Sequence, residues 1–157
     1  MARKSLLQTR IIEIGRLVKN MKKSERQVEV LIESLIEVSL IEKVIDSLPR
    51  GYISVKTISG HQYFYRQWRE GSRIISSYVP ESYLNVVKQK IEIRKQNEQL
   101  LKILKKDYKK AEKAVLKMGE VTPEEIAMAK ERVSSLSEEE LANRREVVNS
   151  LKQQLLA

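Results

Sequence analysis

Between Gly51 and Val79 lie six of the chain's eight aromatic residues, Tyr52, Tyr63, Phe64, Tyr65, Trp68 and Tyr78, interleaved with Arg66, Arg69 and Arg73. Rings stack on bases, and guanidinium forks pair with phosphate oxygens. The combination is the working chemistry of strand-based nucleic-acid readers. A second group, Lys102, Lys106, Lys109, Lys110, Lys113 and Lys117, recurs at helical spacing. Such a run serves either as an electrostatic track along a phosphate backbone or as a solvated helix face. In the second reading it is partly matched to the acidic stripe Glu29, Glu33 and Glu37 on a neighbouring helix.

Other chemistries find little support. The chain has no cysteine and a single histidine, His61, which removes thiolate zinc sites, Cys nucleophiles and His-pair metal centres. There is no GxGxxG or GxxxxGK[ST] loop to cradle phosphates. Carboxylates lie mostly at salt-bridge spacing along helices. Asp46, Glu70 and Glu81 fall near element ends around the aromatic segment, but their spacing does not call for a metal. We therefore expect a non-enzymatic protein with no cofactor and no metal.

Glycine and proline mark where the chain divides. Residues 5–47 follow a helical period, with Leu7, Ile11, Ile14, Val18 and Met21 on one narrow seam and Val28, Leu31, Leu35, Val38, Ile41 and Ile45 on a second. The pattern lapses near Lys22–Gln27, where Ser24 with Gln27 reads as a capping box restarting the helix. Past Pro49 and Gly51 the period changes to two. The sequence predicts strands at Tyr52–Ile58, Gln62–Glu70 and Arg73–Val79, joined by short Gly-containing turns into an antiparallel meander. Strand alternation puts Tyr63, Tyr65, Gln67 and Arg69 on one face and Phe64, Arg66 and Trp68 on the other, and leaves open which face is covered.

A long helix follows, from Glu81 to Met118. Its seam (Ile93, Asn97, Leu100, Leu104, Tyr108, Ala111, Val115 and Met118) requires a helical partner. Thr122-Pro123-Glu124-Glu125 opens a short helix to about Val133. Ser137 with Glu140 opens a last one, carrying Leu141, Val148 and Leu155 at heptad spacing. The expected fold class is α+β, a small three-stranded antiparallel sheet flanked by long helices forming a bundle or coiled coil. Its expected parts are an N-terminal long helix or kinked pair (1–48), the sheet with the long basic helix (49–118), and an acidic helical hairpin (119–157).

The formal net charge is +9 and is unevenly placed: +6 over residues 1–27, +3 over 51–80 and +6 over 81–118, against −3 over both 28–50 and 119–157. The basic excess thus coincides with the first helix, the sheet and the long central helix. No apolar run reaches the ~20 residues of a membrane span, and no secretory leader is apparent, so a cytoplasmic location is expected.

The stretch from Leu48-Pro49-Arg50-Gly51 through Tyr63-Phe64-Tyr65-Arg66-Gln67-Trp68-Arg69-Glu70-Gly71 to Ser77-Tyr78-Val79 resembles a prokaryotic family of small proteins and domains of unknown function. Members share an LPRGS opening, a YYYLQWREGGK hairpin and an S-x-Y-V exit strand before a charged helix. The likeness covers about residues 48–110. Tyr52 replaces a small residue of that pattern, and Ser72-Arg73 replaces a Gly-Lys. The resemblance implies the three-strand-plus-helix unit and no catalytic residue. The plan is also similar to the arm-type DNA-binding domains of tyrosine recombinases.

These observations lead to a nucleic-acid-binding accessory or regulatory protein, with duplex DNA favoured. The expected contacts are Tyr63, Tyr65, Arg66, Trp68, Arg69 and Arg73 on the sheet and Lys102, Lys106, Lys109 and Lys113 on the helix. The alternative is a coiled-coil assembly or adaptor protein that binds another protein. In either case the unmatched seams point to a homo-oligomer.

Overall fold

The structure, a computed structural model, describes residues 21–144 and 146. The fold is α+β. Helix α1 (Lys23–Ser47) leads into strands β1 (Tyr52–Ile58), β2 (His61–Glu70) and β3 (Arg73–Val79). A single 3₁₀ turn (Glu81–Tyr83) then opens helix α2 (Leu84–Met118), which is followed by α3 (Pro123–Ser134) and a further helical segment, α4, at 138–144. The N-terminal seam from Leu7 to Val18 and the heptad positions Val148 and Leu155 lie outside the described residues. The chain divides into two compact units, Ile41–Ile103 and the remainder on either side of it, Met1–Leu40 with Leu104–Ala157.

In the Ile41–Ile103 unit the strands pair antiparallel in the order β1-β2-β3. The first hairpin turns on Ser59 and Gly60, both at positive φ (51° and 79°), the conformation of a two-residue type I′ turn that matches strand twist. β2 therefore starts at His61, one residue earlier than alternation alone indicates. At the entrance to the sheet, Gly51 has φ 103°, and a Cβ there would lie 2.0 Å from the Gln67 carbonyl oxygen. Only glycine lets the chain pass that close to β2. The C-terminal end of α1 is held by Arg94 of α2, whose Nη1 donates to Ile45 O (2.7 Å) and to Leu48 O (2.6 Å), just past the helix. Ile45 O also accepts from Leu48 N (3.1 Å), and Arg94 adds a charge-assisted bond to the carbonyls at this end.

In the other unit the described residues are mostly helical. Val28, Leu31, Ile32, Leu35 and Ile36 make a broad apolar stripe on α1, with Leu31 fully buried. One side of that stripe packs with Tyr108 and Val115 of α2 and with Val121 and Ile126. The other packs with Ala129 and Val133 of α3 and with Leu141. Each fully buried Leu or Ile contributes roughly 1.5–3 kcal/mol by leaving water. The late part of the predicted α2 seam is thus matched internally, by short segments after Gly119 as well as by α1.

Caps set the helix starts. Thr122 Oγ1 accepts from Glu125 N (3.2 Å), and Pro123 occupies the first helical turn. At α4 the box closes in both directions, Glu140 N donating to Ser137 Oγ (3.2 Å) and Ser137 N to Glu140 Oε2 (2.8 Å). The box expected at Ser24 and Gln27 does not form. Lys22 N donates instead to Glu25 Oε2 (3.2 Å), and Gln27 Nε2 donates to Met118 Sδ (3.0 Å). The carboxylate half of such a box thus forms two positions earlier than expected, and α1 begins at Lys23.

Candidate nucleic-acid interface

Strand pairing assigns every sheet residue to a face. Tyr52 stands opposite Gln67, Ser54 opposite Tyr65 and Lys56 opposite Tyr63. On the other side Tyr65 stands opposite Tyr78, Gln67 opposite Ser76 and Arg69 opposite Ile74. One face therefore collects Tyr52, Tyr63, Tyr65 and Tyr78 with Lys56, Gln67 and Arg69, and none of its residues is acidic.

This face is open. Tyr52 and Tyr78 keep 54% and 55% of their surface accessible, and Lys56 and Arg69 are exposed. Its side chains also order one another. Tyr52 Oη donates to Gln67 Oε1 at 2.8 Å. The Lys56 ammonium lies 4.7 Å from the centre of the Tyr65 ring, and Tyr65 meets Tyr78 edge to face at 5.8 Å. His61 stacks edgewise on Tyr63 at 4.8 Å beside the turn. The cation over the ring and the edge-to-face pair each hold a ring in one orientation without burying it.

The opposite face is covered over part of its length. Val79 is buried, and Ile53, Phe64, Trp68 and Ile75 are half-buried, while Val55 towards the first turn stays exposed. Arg66 lies over Trp68, with its guanidinium carbon 3.8 Å from the ring centre, and donates to Arg50 O at 2.7 Å. Partial burial, and then the like charges of Arg50 and Arg94, hold its pKa below the ordinary arginine value. Trp68 Nε1 donates to Glu70 Oε1 (3.0 Å), and the same oxygen faces Arg50 Nη2 at 3.5 Å. Glu70 is thus engaged in holding the sheet entrance. Among the described residues no three His, Cys, Asp or Glu side chains stand close enough to hold a metal.

Of the sheet residues the sequence singled out, Tyr63, Tyr65 and Arg69 come together on the open face. Arg66 and Trp68 lie on the covered face, and Arg73 shares their side at the exposed second turn. Tyr52, Tyr78 and Lys56 complete the open face and were missing from the expected set. Counting outward from the two-residue turns would have found them, because each turn fixes the register of its hairpin.

Lys102, Lys106, Lys109 and Lys113 are exposed on α2, and none forms an ion pair among the described residues. Lys88 and Lys95 extend the row, so that Lys88, Lys95, Lys102 and Lys109 recur every seven residues. The expected match to the acidic stripe is taken by another group. Arg144 binds Glu33 Oε1 at 2.7 Å and Glu29 Oε1 at 3.2 Å. Among the described residues no helix is long and apolar enough to cross a membrane.

No curated protein and no solved structure matches the chain. Residues 18–89, which take in α1, the whole sheet and the start of α2, match the model of a family described as Domain of unknown function (DUF6788).

Proposed function

We propose that this is a non-enzymatic, cytoplasmic nucleic-acid-binding protein that works through the open face of its sheet. The observation that carries the reading is the make-up of that face: four accessible or half-accessible tyrosines, two exposed cations and no carboxylate. A face that merely awaits solvent has no reason to exclude acidic residues in a chain with 21 of them. A polyanion with stackable bases fits both the charge and the rings. The lysine stripe of α2 is a second cationic surface consistent with the same class of partner.

The test is substitution of the two cations. Lys56→Ala and Arg69→Ala should each weaken oligonucleotide binding several-fold in fluorescence anisotropy, with circular dichroism unchanged because both side chains are exposed. Full affinity in the double variant would exclude the face as the contact surface.

A second reading, self-assembly, rests on a separate observation. Val86, Ile93 and Leu100 repeat every seven residues on α2 and stay substantially exposed, with Ile103 beside them. An apolar row of that spacing suits one line of a coiled-coil seam and supports this reading.

A further inference from the structure

The ratio of rings to cations on the open face points to a particular form of nucleic acid. We infer, on the basis of the nucleic-acid reading above, that the open face takes single-stranded rather than duplex nucleic acid, with Tyr52, Tyr63 and Tyr78 as its stacking platforms.

A duplex presents about one phosphate charge per 1.7 Å of axis and keeps the flat faces of its bases sealed inside the stack. A protein reading it needs many cations and forked polar side chains aimed at base edges. This face has two cations, Lys56 and Arg69, and its amide fork, Gln67, already accepts a bond from Tyr52. It is poor in what a duplex requires.

It is rich in what a single strand requires. Unstacked bases expose both flat faces, and stacking on an aromatic side chain is sequence-tolerant and contributes strongly per base. Tyr63 and Tyr65 lie two residues apart on β2, roughly 7 Å along the strand. Tyr52 and Tyr78 flank them on the edge strands, so the rings cover the width of the sheet. Lys56 already occupies the ring of Tyr65, and Tyr78 abuts that ring edgewise. Tyr65 thus orients its neighbours, and Lys56 stands within the row of rings where a phosphate between two stacked bases would fall. Ser54 and Ser76 stand beside Tyr65 and Gln67 on the same face, and Ser76 is exposed on the edge strand.

The experiment compares the full chain against one mixed sequence in three forms, as single-stranded DNA, single-stranded RNA and the DNA duplex, at a single salt concentration. At least tenfold tighter binding to either single strand than to the duplex is expected. Tyr78→Ser should cost the single strand about tenfold, and Tyr78→Phe should restore it because the ring alone stacks. Tyr63→Ser should behave alike. Tyr78 lies exposed on an edge strand and keeps the test decisive if the Tyr63 variant does not fold. Equal or tighter binding to the duplex, or failure of the phenylalanine to rescue, overturns this inference while leaving nucleic-acid binding in place. Absence of binding to all three forms overturns the nucleic-acid reading itself.

Discussion

Arg66 and Arg69 are three positions apart on one strand, and their surroundings give them different work. Arg69 projects from the open face with no carboxylate beside it, whereas Arg66 is spent on Trp68 and the Arg50 carbonyl. Removing Arg66 takes away a cation–π contact and a charge-assisted hydrogen bond at the sheet entrance. Arg66→Ala should therefore lower stability by about 1–3 kcal/mol in urea denaturation. Nucleic-acid affinity, measured at a temperature where the variant is folded, should stay close to that of the unaltered chain. An unfolding midpoint identical to the parent's, with affinity lost, would reverse the roles assigned to the two arginines. Alternation along β2 already separated Tyr63, Tyr65 and Arg69 from Phe64, Arg66 and Trp68. What it could not decide was the covered face, since each face carries rings and an arginine. That choice depends on where the segment from Leu48 to Arg50 and the Arg94 side chain come to lie, which no local pattern encodes.

At the scale of elements, the strands were legible because Ser59-Gly60 and Gly71-Ser72 fix two short turns between runs of period two. Helix starts were legible where Ser or Thr precedes Glu by three residues, at Thr122 and Ser137. At Lys22 the cap is a backbone N–H captured by Glu25 alone, with no hydroxyl at the cap position, so the Ser24 hydroxyl is a false signal. The partner of the acidic stripe was illegible, because the candidates differed only in tertiary position. Arg144 occupies that place, and burial still pushes the Glu33 carboxyl above its ordinary value of 4.5, with Arg144 opposing and Glu29 and Glu37 adding to the rise. A raised folded-state pKa means that the folded chain holds this proton more tightly than the unfolded chain. The contribution of Glu33 to stability is therefore full below its ordinary value and is lost as pH rises through the raised one. Glu33→Gln keeps an acceptor for Arg144 and removes the titration. Thermal melts from about pH 4 to pH 7 should show a more favourable slope with pH in the variant than in the parent. Parallel slopes would mean that Glu33 ionises in the folded chain as freely as in the unfolded one.

At the scale of the whole molecule, the α2 seam proves to be two things. Tyr108 and Val115 are interior, packed with Leu31, Val121 and Ile126, while Ile93 and Leu100 remain at the surface, with Val86, outside the predicted seam, exposed one heptad before them. The sequence showed one continuous stripe, because periodicity reports that a face is apolar and not what meets it. The exposed part should support self-association. Light scattering at concentrations on the order of tens of micromolar should give a mass above 18.3 kDa, and Ile93→Glu should reduce it to that value. A monomer at all concentrations would remove the assembly reading and leave the sheet as the functional surface.

Binding of nucleic acid by the open tyrosine face with the help of Lys56 and Arg69 has a direct signature in the salt dependence of affinity, compared between the parent chain and the Lys56→Ala/Arg69→Ala double variant. For a single-stranded oligonucleotide, log K should fall linearly with log[salt], by about 0.7 for each phosphate neutralised. If both cations engage phosphates, the double variant should bind more weakly and with a slope shallower by about 1.4, two such contacts. An affinity and a slope that are the same in both proteins, or no binding by the parent even at low salt, would contradict the account.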